Sequence, residues 1–149
     1  MKRPMTLVGF IVASVFLSID AILELVSLPA FFDIIASGYA SQIIDIIVLT
    51  FISLTLIILA LIFNIICIPK WSCTAVEYAD KKGFMITTIV FNFAIILIMF
   101  ISIIRNLSYG AYVPVMALLL IMALTATNVL VLIDRSLEKK RVARRAETI

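Results

Sequence analysis

IIDIIVLTFISLTLIILALIFNIICI, residues 43–68, carries a single charge, Asp45, close to its start. The run exceeds the ~20 residues that a helix needs to cross a ~30 Å hydrocarbon layer. Its β-branched side chains would favour strands in water. It lacks the strict two-residue alternation of a membrane barrel strand. In lipid a lone segment must satisfy its own backbone groups, and only a helix does so. The segment is therefore read as a transmembrane helix, and three further runs repeat the pattern. They are TLVGFIVASVFLSIDAILELVSL at 6–28, FMITTIVFNFAIILIMFISII at 84–104 and YVPVMALLLIMALTATNVLVLI at 112–133. The expected fold is an all-α membrane protein, a single domain built as a four-transmembrane-helix antiparallel bundle.

Composition agrees with that reading. The chain has 149 residues, 64% of them hydrophobic and 14% charged, with a mean hydropathy of +1.26. Soluble domains are about half apolar and a quarter charged. Lipid must be the solvent for much of this surface. There is no histidine, which removes His-based zinc sites and the Ser–His and Cys–His nucleophile pairs. No metal and no cofactor is expected. The two cysteines, Cys67 and Cys73, are not in a CxxC arrangement. They are placed on the cytoplasmic side, where thiols stay reduced. Palmitoylation of juxtamembrane thiols is the sharper alternative to a plain structural role.

Eleven of the twelve Lys and Arg residues fall on one side of such a bundle. Lys2 and Arg3 precede the first run; Lys70, Lys81 and Lys82 separate the second and third; six cations follow the fourth. Only Arg105 falls on the other side. The positive-inside rule then puts the N-terminus and C-terminus in the cytoplasm. The start resembles a secretory signal, with a basic region before an apolar one, but no small-x-small cleavage site follows before Asp20. It is read as an uncleaved first helix. The net charge of +3 encodes orientation and does not point to nucleic acid.

The connections differ in character. PAFFDIIASGYASQ, 29–42, is amphipathic and is expected to lie along the outer interface as a loop. PKWSCTAVEYADKKG, 69–83, carries Trp71, an interfacial anchor. RNLSYGA, 105–111, reads as a tight turn, with its sequon at Asn106 too close to the helix end for glycosylation. The tail from Asp134 is expected to extend the fourth helix. Its Lys139, Lys140, Arg141, Arg144 and Arg145 would face anionic headgroups, each worth ~1 kcal/mol near the surface.

Two polar sets interrupt the apolar runs. Asp20 and Glu24 share a helix face with Gly9, Ala13, Phe16 and Ser27, so the acids lie on the stripe that carries Gly9-x-x-x-Ala13. Small residues spaced by four admit a neighbouring helix. This face is expected to pack inward, with Val8, Ile11, Val15 and Ile22 toward lipid. Asp20, Glu24, Asp45 and Arg105 all fall at the outer end. They form either an ion-pair cluster, in which Arg105 serves Asp20 or Glu24, or an ion or proton site. A charge at the bilayer centre costs ~2.5–3.5 kcal/mol, so Asp20 must be paired, hydrated or protonated. The second set, Asn64, Asn92 and Asn128, lies at matching depth in the inner half. Asparagines so placed hydrogen-bond across helices.

No motif assigns the chain to a family. The expected function is that of a small non-enzymatic multi-pass module of the cell membrane. Its partners would be a bilayer with an anionic inner leaflet, a partner membrane protein or itself as a homo-oligomer. The alternative is a small oligomeric cation- or proton-coupled transporter or channel component that uses the helix-one carboxylates.

Overall fold

The computed structural model describes residues 4–38, 40–71, 82–108, 110 and 114–147. Four helices account for nearly all of them: α1 (Pro4–Ala36), α2 (Ala40–Trp71), α3 (Lys82–Ser108) and α4 (Val115–Glu147). Each contains a stretch long and apolar enough to span a membrane. α1 packs on α2 and α4, and α3 packs on the same two, so the helices close into an antiparallel ring.

The helices outrun the apolar segments that define them. α1 does not stop at 28. It passes through Pro29 and takes up the residues to Ala36, so the expected interfacial loop is mostly helix. Pro29 removes one ladder bond, that to the Leu25 carbonyl. The residues beyond it are apolar enough for helix to remain the way to satisfy their backbone near lipid. The turn into α2 is short. Gly38 adopts φ +83°, a left-handed conformation that ends a helix most easily at glycine. Gly110, φ +68°, does the same after α3. At the other end α4 continues unbroken to Glu147, so the basic tail is a helical extension. Most of the segment with Cys73, 72–81, lies outside the described residues.

The axis of the ring is filled by Ala13 and Leu17 of α1, Ile57 and Ala60 of α2, Ile95 of α3, and Leu120 and Leu124 of α4. Near the termini Phe10, Cys67, Met85 and Val131 form a second cluster. The buried face of α1 is rotated part of a turn from the acid stripe. Its centre runs through Phe10, Ala13, Leu17 and Ala21, with Asp20 and Glu24 half-buried on its flank. Val8, Ile11, Val15 and Ile22 face outward. Gly9 lets α1 approach α4, where Thr127 donates a 3.0 Å hydrogen bond to the Gly9 carbonyl.

Candidate functional site

A cavity of about 320 Å³, lined by apolar side chains and a cluster of polar ones, opens between all four helices at the end remote from the termini. α1 supplies Asp20 and Glu24, α2 supplies Thr50 and Ser53, and α3 supplies Arg105 and Asn106. The placement follows from helical spacing. Asp20 and Glu24 are one turn apart on the inward flank of α1, and Arg105 closes the apolar run of α3.

The charges do not pair as simple proximity in sequence depth suggests. Arg105 donates through Nη2 to Asp45 at 2.5 Å, and Asp45 is well exposed, with 66% of its side-chain surface open. The guanidinium is thus drawn to the rim of the bundle. Glu24 instead accepts a 2.7 Å hydrogen bond from the Ser53 hydroxyl. The other Glu24 oxygen, Oε2, and Asp20 Oδ2 are buried without a hydrogen-bond donor among the described residues. Two carboxylates therefore share the cavity, and among the described residues Ser53 is the donor bonded to them. The lone guanidinium that lines the same cavity bonds elsewhere. Asp33 lies on the exposed outer end of α1 and does not line the cavity.

Ser53 is the site residue that the sequence pattern conceals. It stands in a run of Ile and Leu beside Thr50 and Thr55, and a serine in such a helix ordinarily bonds back to its own carbonyl ladder. Ser14 does that, donating to the Phe10 carbonyl at 2.8 Å. Ser53 is distinguished only by facing a carboxylate on another helix.

The half nearer the termini carries a second polar construction. Asn64 Nδ2 donates to Asn92 Oδ1 at 2.8 Å, and Asn92 Nδ2 donates to Asn128 Oδ1 at 3.1 Å. The chain links α2, α3 and α4. All three side chains are buried, Asn64 and Asn92 completely. Asn64 Nδ2 also donates to the Ala60 carbonyl at 2.8 Å, while Asn64 Oδ1 has no partner among the described residues. Cys67 contacts the Thr88 hydroxyl at 3.3 Å. Thr6 bonds Asp134, which ties the start of α1 to α4.

The remaining predicted positions lie near the ends of the helices. Trp71 ends α2. Lys139, Lys140 and Arg144 are exposed on the extension of α4, and Arg141 and Arg145 belong to the same helical segment. Among the described residues no three Asp, Glu or Cys side chains converge as metal ligands. No family model, no curated protein and no solved structure matches this chain.

Proposed function

We propose that the chain is a non-enzymatic membrane module, a compact set of helices that works by packing with lipid, with a partner membrane protein or with itself. The observation that carries this reading is the outward face of the bundle. Val8, Ile22, Val90, Phe93, Met122 and Leu132 all stand more than half exposed, and they come from α1, α3 and α4. Lipid tails are as apolar as these side chains, so association rests on shape and on placed polar groups. Native mass spectrometry of the full chain, extracted gently into nanodiscs, tests the reading. Retained lipid, a partner or a discrete oligomer is expected. A bare monomer that has shed all lipid refutes it.

One observation favours a second reading, a cation- or proton-binding component of a transporter or channel. Among the described residues Asp20 Oδ2 and Glu24 Oε2 lack donors while Arg105 is engaged by Asp45. Carboxylates so placed repel each other, and a shared proton or a small cation relieves that repulsion. Thermal unfolding of wild type, Asp20→Asn and Glu24→Gln, with and without Na⁺, K⁺, Mg²⁺ and Ca²⁺, tests it. The reading expects neutral or stabilising substitutions and a wild-type stability that rises with one cation or shifts with pH. It is overturned by substitutions that destabilise and by a wild type indifferent to both.

A further inference from the structure

The seam between α1 and α4 near the termini is not filled by the protein. A groove of about 420 Å³ runs along it. Met5, Val8 and Val12 form one wall, and Ala123, Ala126 and Leu130 the other. The floor is low because Gly9 and the two alanines present little side chain. The nearest polar group, the Thr127 hydroxyl, is turned away and bonds the Gly9 and Ala123 carbonyls. A void in an apolar wall forfeits dispersion contacts, so in a bilayer this groove takes an apolar occupant.

Charge identifies that occupant. Beyond Leu130 the apolar part of α4 ends at Leu137 and the helix runs on into the basic segment 139–145. Arg141 stands ~16 Å beyond Leu130 along the axis, the height at which headgroups meet a helix whose apolar part ends near Leu137. Asp134 accepts from the neutral Thr6 hydroxyl and counts among the acids of this segment. The segment 134–149 holds six cations against three carboxylates. A second copy placed across the same seam by a two-fold axis would set two such segments side by side, and like-charge contact opposes that dimer. A negative headgroup gains from the same field.

We infer that the α1–α4 groove is a lipid site. An anionic phospholipid of the leaflet bordering the two termini lays one acyl chain in the groove, and its phosphate meets the basic extension of α4. The inference rests on the membrane-module reading and names its partner.

Native mass spectrometry of the full chain, titrated with phosphatidylglycerol or with phosphatidylcholine of the same acyl chains, tests it. Wild type is expected to hold one phosphatidylglycerol about tenfold more tightly than phosphatidylcholine. Ala126→Leu fills the groove from an exposed position and should lower retention of both lipids. Lys139→Gln, Lys140→Gln and Arg141→Gln together should abolish the preference and leave phosphatidylcholine binding in place. Val129→Leu, on another exposed face of α4, should change neither. Equal retention of the two lipids by wild type overturns the inference. So does an Ala126→Leu variant that binds like wild type, or one that loses a dimer instead of a lipid. In those cases a chain that still holds lipid or a partner elsewhere leaves the module reading standing. A bare monomer removes both.

Discussion

Replacing Asn92 by leucine should be among the more damaging single changes in the half of the bundle nearer the termini. Asn92 is the middle of the chain of amides: it accepts from Asn64 and donates to Asn128. Leucine keeps the branched shape, is somewhat bulkier and removes both bonds. Interhelical hydrogen bonds in membranes average ~0.6 kcal/mol each, so the two contribute about 1.2 kcal/mol. Asn128 Oδ1 is then left without this donor at a buried position, and an orphaned buried acceptor costs about 1–3 kcal/mol. Asn64 keeps its bond to the Ala60 carbonyl, which limits the loss on that side. The expected destabilisation is about 2–4 kcal/mol. Asn64→Leu should behave differently. It removes one interhelical bond and strands Asn92 Oδ1, but it also removes the Asn64 oxygen that has no partner among the described residues; the orphans offset each other and a loss of about 0.6 kcal/mol is left. Replacing all three asparagines by leucine should cost less than Asn92→Leu alone, because no polar partner is stranded. Reversible unfolding in mixed micelles measures all three. If Asn64→Leu costs as much as Asn92→Leu, the directional chain is not what holds α2, α3 and α4 in register.

Other outcomes follow from the same geometry. Gly9→Ala should be tolerated, because its methyl group meets the movable end of Leu130 and the Thr127 hydroxyl at 3.3 Å; Gly9→Leu should push α1 from α4 and lower stability by about 1–3 kcal/mol, and equal stability of the two variants in thermal unfolding would contradict the close approach. A double-mutant cycle on Arg105 and Asp45 should give a coupling of about 0–1 kcal/mol, since the pair is solvent-accessible, and the same cycle on Arg105 and Glu24 should give less. A larger coupling to Glu24 would show that the guanidinium serves the cavity. In a Cys73→Ser background, Cys67 should resist maleimide until the bundle unfolds, because it is buried in the core; prompt labelling would refute that packing. A reporter fused after Ile149 should be active only in the cytoplasm, as the distribution of Lys and Arg requires.

The sequence alone determined the solvent and the secondary structure. Four apolar runs of membrane length cannot fold in water, and in lipid they must be helices, because nothing else satisfies an isolated backbone. Depth is also linear in sequence, so the level of Asn64, Asn92 and Asn128, and of Asp20, Glu24, Asp45 and Arg105, was legible from the chain. Tertiary structure alone decided the partners. Whether Arg105 reached Asp20, Glu24 or Asp45 depended on helix rotation, which puts Phe10, Ala13, Leu17 and Ala21 at the centre of the buried face of α1. Ser53 facing Glu24 and the α1–α4 groove have the same origin. Each results from how two helix surfaces meet, and pairing between surfaces leaves no period in a single strand of sequence.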